Sequence, residues 1–241
     1  MIPLKFIKFD ELSSTNDYLR RKLDIEEYDV IIAKKRKNEM ERKDSIYISG
    51  EGAALFSFAV EYRKEILDRM TIFSSYIVYR VLEKFLKDNE KENLKFKWPN
   101  NIYYKDKKIC SIVCEKIRDY ILIGIEININ NTVFDSLKDE AVSLYEITGT
   151  NEDVDNIIKE TVILFEEKMR TFNKEWEKTI KLMNNISYLN GKMIKIKSNG
   201  NFEDKMYKVS RIERNGKISI LGKGDMDEKE FESLEFKTVT E

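Results

Sequence analysis

Apolar positions along this chain fall into two rhythms. Short apolar runs at residues 4–9, 28–33 and 53–60 read as strands. Between the first two, Ser13-Ser14-Thr15-Asn16-Asp17 offers helix caps, and a helix follows to about Leu23. Over residues 71–89, Phe73, Ile77, Val81 and Phe85 recur at four-residue steps, the spacing of one helix face. Three more strands are expected at 94–104 (interrupted at Pro99), 109–115 and 120–129, with Lys105-Asp106-Lys107 as the hairpin turn between the first two. Residues 153–186 are helical in pattern, in two pieces, with Glu152, Asp153 and Asp155 at the positive end of the dipole. The tail then changes rhythm. Short alternating runs are separated by Asn190-Gly191, Asn199-Gly200 and Asn215-Gly216, which is hairpin turn chemistry. We therefore expect a unit at 1–187 and a small all-β unit at 188–241. In the larger one, strands and helices do not strictly alternate, which predicts an α+β fold whose mixed, mostly antiparallel sheet is flanked by helices.

One strand is unusually regular. Ile121, Ile123, Ile125, Ile127 and Ile129 alternate with Leu122, Gly124, Glu126 and Asn128. Period two sends the isoleucines to one face, which must pack against helices, and the small and polar residues to the other. That second face is either solvated or the lining of a cavity. Glycine weakens a mid-strand position, so a close approach is expected at Gly124. A second local feature is Lys97-Trp98-Pro99-Asn100-Asn101-Ile102-Tyr103, followed by Lys107-Lys108. Proline inside a strand run forces a break or an edge. The segment reads as a kink with an aromatic plug, or as the rim of a site whose lysine neutralises a carboxylate or phosphate.

Composition narrows the chemistry. The chain has 241 residues and no histidine, which removes Ser-His-Asp and Cys-His catalysis and histidine metal ligation. Its net charge of −1 argues against a globally basic nucleic-acid binder. The basic run Lys34-Lys35-Arg36-Lys37 is followed by Glu39, Glu41 and Asp44, and reads as solvated. Cys110 and Cys114 are the two cysteines. They suit a reduced, cytoplasmic chain, and they make no zinc site without histidine. No P-loop or dinucleotide-binding glycine pattern occurs, the nearest being Gly50-Glu51-Gly52. No metal site, signal peptide or membrane span is expected.

The order Ser14-Thr15-Asn16, basic loop, Lys97-Trp98-Pro99-Asn100, Lys107-Lys108, Gly124-Ile125-Glu126-Ile127-Asn128 and Ser143-Leu144-Tyr145-Glu146 resembles a biotin protein ligase of the biotin/lipoate ligase family. The likeness runs from about Asp10 to Phe236. It implies the ligase α+β fold followed by a small SH3-like β-barrel. It also implies ATP-dependent attachment of biotin to a lysine of a biotin carboxyl-carrier domain, through biotinyl-adenylate, with MgATP as co-substrate. Carried over by position, Ser14 and Thr15 would contact the biotin ring, and Lys108 would hold the biotin carboxylate and the α-phosphate. Asn128 would lie near the nucleotide, Arg42 would be the catalytic loop arginine, and Tyr47 would cover the adenine. Arg36, Lys97, Trp98, Gly124 and Glu126 would line the substrate site, and Asn101 would stand at the third catalytic position with Lys108 and Arg42.

Several positions depart from the family pattern. The glycine-arginine loop is here Glu39 to Ser45, EMERKDS, without glycine. Arg36 stands where the family has glutamine, and Ser111 stands where it has glycine. Asn101 stands for the aspartate of KWPND, and an amide cannot act as a general base. Glu126 replaces the central glycine of GIGIN, so a carboxylate enters the cavity and needs a partner, with Arg36, Arg42 and Lys108 as candidates. Besides the ligase, two readings stay open: a ligase-fold interaction protein that no longer binds biotin, and a ligase for another acyl acid. The family resemblance leaves homodimerisation possible. DNA binding is not expected, because no helix-turn-helix precedes the ligase frame.

Overall fold

The computed structural model describes residues 4–37, 51–134, 137–198 and 200–239. A parallel pair opens the main sheet, β1 (Lys5–Leu12) beside β2 (Asp29–Arg36), linked by α1 (Thr15–Arg21). β3 (Ala54–Glu61) runs antiparallel to β2 and leads into α2 (Lys64–Leu82). The helix begins at Lys64 rather than near 71, because Ile66 and Met70 extend the apolar stripe by another two turns and are both buried. It gives way after Leu82 to a 3₁₀ turn, Glu83–Phe85.

The expected three strands become four, β4 (Leu94–Lys97), β5 (Asn101–Tyr104), β6 (Lys107–Ile117) and β7 (Tyr120–Ile127), since Pro99 splits the first. The order across the sheet is β1-β2-β3-β7-β6-β5-β4, antiparallel everywhere except the first pair. Sequence pattern did not mark α3 (Leu144–Thr148), which is capped by a reciprocal Ser143/Glu146 box and closed by Gly149 at φ 72°. An S-x-x-E spacing is the signal that predicts it. The long helical stretch is two helices, α4 (Val154–Met169) and α5 (Phe172–Asn185).

Register assigns each residue of β7 to a face. Ile125 lies between Phe56 of β3 and Ile112 of β6, whereas Gly124 lies between Ser57 and Val113. Ile121, Ile123, Ile125 and Ile127 join Phe56, Phe58 and Ile112 in one core with Phe73 and Ile77 of α2 and Phe165 of α4. Phe165 meets Phe58 and Phe73 edge-on at 4.9 and 5.1 Å. Cys110 and Cys114 are free thiols near this core, and burial pushes the Cys114 thiol up to about 11.

The tail forms a six-stranded antiparallel sheet that curls into a half-barrel. Its elements are β8 (Met193–Ser198), β9 (Asn201–Phe202), β10 (Tyr207–Ile212), β11 (Ile218–Gly222), β12 (Lys229–Phe231) and β13 (Phe236–Val239). Ile194, Val209, Ile212, Ile218 and Ile220 belong to the same apolar core as the main sheet. The turn between β10 and β11 presses onto α2. Gly216, at φ 89°, is required there, since a Cβ would stand 2.7 Å from the carbonyl oxygen of Asp68.

Candidate functional site

The face of the sheet opposite α2 and α4 carries the polar positions of β3, β6 and β7. Helix α1 rests on one end of it. Ser14 caps that helix, its hydroxyl accepting from the Asp17 N–H at 3.2 Å. The cap directs Asn16 onto Gly124, where a Cβ would stand 2.4 Å from Asn16 Oδ1. The close approach expected at Gly124 is therefore an amide from α1. Asn16 Oδ1 accepts from Ser57 Oγ at 2.5 Å, and Asn16 Nδ2 donates to Glu115 Oε1 at 3.0 Å. Thr15 Oγ1 lies 2.5 Å from Ser57 Oγ, and Arg20 joins Glu115 to Asp17. Thr15 thus presents a hydroxyl beside the glycine gap, while Ser14 is committed to the helix cap. Ser57 and Glu115 had no local signal in the sequence, since only the strand register places them beside Gly124.

At the other end of this face, cations gather around a buried carboxylate. Glu126 is 6% exposed, between Leu55 of β3 and Ser111 of β6. Arg36, at the end of β2, donates from Nη2 to Glu126 Oε2 at 2.6 Å. Of the three candidate partners for Glu126, Arg36 bonds it and Lys108 lies close enough to attract it, while Arg42 lies outside the described residues. The second oxygen, Oε1, is buried without a hydrogen-bond partner among the described residues. Burial pushes the Glu126 carboxyl up to about 7, against the opposing pull of Arg36 and then Lys108. Lys108 is the second residue of β6, and burial lowers its pKa while Glu126 and Glu140 favour its charge.

Lys97 lies on the same face, at the end of β4. Its ammonium sits 4.7 and 5.3 Å from the ring centroids of Tyr103 and Tyr188. Burial lowers its pKa, and the neighbouring charges of Lys192 and Lys108 add to that. The two tyrosines were not anticipated. Tyr103 could have been found as the residue opposite Lys108, but Tyr188 arrives from beyond α5.

Other expected site residues are engaged in the fold. Trp98 is buried, and its Nε1 donates to Gly216 O at 3.1 Å, so its ring is the plug of the β4–β5 turn rather than a substrate contact. Asn101 Nδ2 donates to Asn100 Oδ1, and Asn100 Nδ2 donates to Ile112 O, which makes Asn101 part of the same turn. Asn128 Nδ2 reaches Val142 O at 3.2 Å, while Asn128 Oδ1 accepts from Asn131. Both ends of that amide thus pin the segment before α3 to β7. Arg42 and Tyr47, with Glu39 and Glu41, lie outside the described residues. Among the described residues, no group of three or more acidic or cysteine side chains gathers to hold a metal ion, and no helix is long and apolar enough to cross a membrane.

Comparison with known proteins bears on this arrangement. Residues 8–130 match the model of the biotin/lipoate A/B protein ligase family. A bifunctional ligase/repressor BirA from Bacillus spizizenii is 33% identical over 96 residues, which is 36% of this chain and 29% of that protein. The chain thus matches less than a third of that relative's length. A biotin protein ligase from Aquifex aeolicus, solved with biotin and ATP, superposes with a TM-score of 0.79 at 22% identity, over 98% of this chain and 99% of the other. A biotin protein ligase from Leishmania major, solved with biotinyl-5-AMP, gives 0.66 at 16% identity, over 95% and 99%. At these identities the structural likeness is one of fold. It includes the C-terminal half-barrel, which the family match does not reach. With the match spanning β1 to β7 and taking in half of the 241 residues, the chain belongs to the biotin/lipoate A/B protein ligase family.

Proposed function

We propose that this protein joins biotin to a lysine of a carboxyl-carrier domain, using ATP and passing through biotinyl-adenylate. The observation that carries the reading is the gathering of Arg36, Lys97 and Lys108 at one end of the open face. Two anions must meet in the first step, and fixed cations lower the cost of bringing them together. An oxygen of the biotin carboxylate attacks the α-phosphorus, and the acyl–phosphate bond forms as pyrophosphate leaves. In the second step the neutral amine of the carrier lysine attacks the acyl carbon, and AMP departs with the bonding pair.

In this reading Lys108 bridges the carboxylate and the α-phosphate, and Lys97 adds field from between its two tyrosines. Thr15 offers its hydroxyl oxygen to the ring end, held from below by the buried Ser57 and beside the Asn16 amide that fills the gap at Gly124. Val113, 45% exposed on the same face, gives the acyl chain an apolar surface. Magnesium would arrive on the nucleotide. Asn101 supplies no base, so the proton of the attacking amine leaves by another acceptor.

The test is biotin-dependent exchange of pyrophosphate into ATP by the purified chain, followed by transfer to a carrier domain. Wild type should exchange. Lys108→Ala should lose adenylate formation while its melting temperature stays nearly unchanged. Equal exchange by that variant would remove Lys108 from the role.

A further inference from the structure

The tail reaches the cationic end of the open face at Lys97. Residues 186–188, between α5 and β8, lie along the outer edge of β4: the Phe96 N–H donates to Ile186 O at 3.0 Å, and the Tyr188 N–H donates to Phe96 O at 2.8 Å. Trp98, on the other side of Lys97 in the chain, is tied to Gly216 of the half-barrel. Both chain neighbours of Lys97 are thus fixed by the tail. Strand alternation turns the Lys97 side chain away from that of the core residue Phe96, onto the open face. There its ammonium meets the ring of Tyr188 at 5.3 Å and that of Tyr103 at 4.7 Å, and the two rings lie 5.0 Å apart. The Tyr188 ring also takes the Lys192 ammonium, at 3.4 Å. The Tyr188 hydroxyl donates to Asp106 Oδ1 at 2.9 Å, and Lys192 reaches the same carboxylate at 3.5 Å. Asp106 therefore anchors the ring and balances Lys192. Among the described residues no carboxylate forms an ion pair with Lys97, whose one hydrogen bond goes to the Tyr103 hydroxyl at 3.3 Å. A cation held by ring faces keeps its charge uncancelled for an incoming anion, whereas a paired carboxylate would cancel it.

The geometry points to Tyr188 as a positioning residue: its ring holds the Lys97 ammonium, unpaired with any carboxylate, where the acid and the α-phosphate meet, and so makes the acid-activating step depend on a side chain of the tail. This rests on the ligase reading above and adds to its site a residue that lies beyond the family match at 8–130. The ring faces favour the charged form of Lys97, while burial, Lys192 and Lys108 oppose it. The groups facing Lys97 are Tyr103 from β5, Lys108 from β6, Glu140 from the segment before α3, and Tyr188 and Lys192 from the segment before β8, with Asp106 behind Tyr188. Because Lys192 lowers the Lys97 pKa, removing Lys192 should keep Lys97 charged to higher pH.

The experiment is biotin-dependent pyrophosphate exchange by the full chain, followed from neutral to alkaline pH, for wild type, Tyr188→Phe, Tyr188→Leu and Lys192→Ala, with the melting temperature of each. Beside it, NMR of the chain methylated on its lysines with carbon-13 formaldehyde reads the surroundings of Lys97, whose signal is assigned by its absence from Lys97→Arg. In wild type that signal should be displaced upfield by the rings. Tyr188→Leu keeps bulk without a ring; it should lose part of the displacement and lower the kcat of exchange about tenfold, with the KM for biotin and the melting temperature nearly unchanged. Tyr188→Phe keeps the ring and should stay within about threefold of wild type. Lys192→Ala should move the alkaline limb of exchange to higher pH. Full exchange by Tyr188→Leu, equal losses in the Leu and Phe variants, or a loss matched by a fall in melting temperature would overturn the proposal and leave the ligase reading standing. So would a Lys97 signal without upfield displacement in wild type, or an alkaline limb unmoved by Lys192→Ala. Absence of exchange by wild type would end the ligase reading, and the positioning role with it, even with the Lys97 signal displaced.

Discussion

The two faces of β7 are made by the same eight residues and obey different rules. On one face Ile121, Ile123, Ile125 and Ile127 are 0–3% exposed and meet aromatic and aliphatic side chains from β3, β6, α2 and α4. Many contacts support each position, and none depends on a particular atom. On the other face Gly124 is filled by the Asn16 amide, and Glu126 holds Arg36 with one oxygen while the other lacks a partner among the described residues. There each position depends on one or two specific atoms, and the arrangement costs stability. Folds break local rules of this kind at functional or strained sites and compensate elsewhere.

Changes on the apolar face should be the most damaging to stability. Phe58→Ala removes a ring packed edge-on against Phe165 and stacked on Phe56, and should cost about 3–5 kcal/mol in urea denaturation. A loss under 1 kcal/mol would mean that this core collapses around the gap.

The next effect is a pH dependence from the polar face. An acid whose folded pKa is raised keeps its proton more firmly in the fold than in the unfolded chain. Its stabilising contribution is complete below the ordinary glutamate range and is lost as pH rises to about 7. Glu126→Gln does not titrate, so its stability relative to wild type should climb between about pH 5 and pH 7 and then level. The climb should reach about 3 kcal/mol at most. A flat difference would show that Arg36 keeps Glu126 ionised throughout.

The smallest effect sharpens the comparison most. Gly124→Ala puts a methyl group on the polar face where Asn16 Oδ1 now lies. Displacing that amide also disturbs Ser57 and Glu115, for about 1–3 kcal/mol of stability and a loss of ligand binding. The same chemical change on the isoleucine face would be felt only as packing.

How much of this was legible in the sequence follows the same division. Local periodicity marks the isoleucine face, the two helices of the 153–186 stretch and the short strands of the tail, because each is a property of neighbours in the chain. The start of helix α2 is less legible, because Ile66 and Met70 precede the regular four-residue steps of Phe73, Ile77 and Val81. The polar face required register. Arg36 meets Glu126 across 90 positions, and Asn16 meets Ser57 across 41. Sequence reading foresaw that a group would approach Gly124 and that Glu126 would need a partner. The strand order β2-β3-β7 chose Asn16 for the first and Arg36 for the second. Trp98 shows the converse: it belongs to a family motif, yet its indole is spent on holding the tail.

The turn after β10 gives the protein an optical property. The chain has two tryptophans. Trp98 Nε1 donates to Gly216 O at 3.1 Å and Trp176 Nε1 to Arg214 O at 2.7 Å, so indoles from the sheet and from α5 end on the same three-residue tip. Both indoles of this protein therefore sense the seating of that tip, and tryptophan emission is sensitive to it. A red shift would signal that the half-barrel had lifted away from the sheet. Occupancy of the open face would leave the emission unchanged unless the tail moved with it.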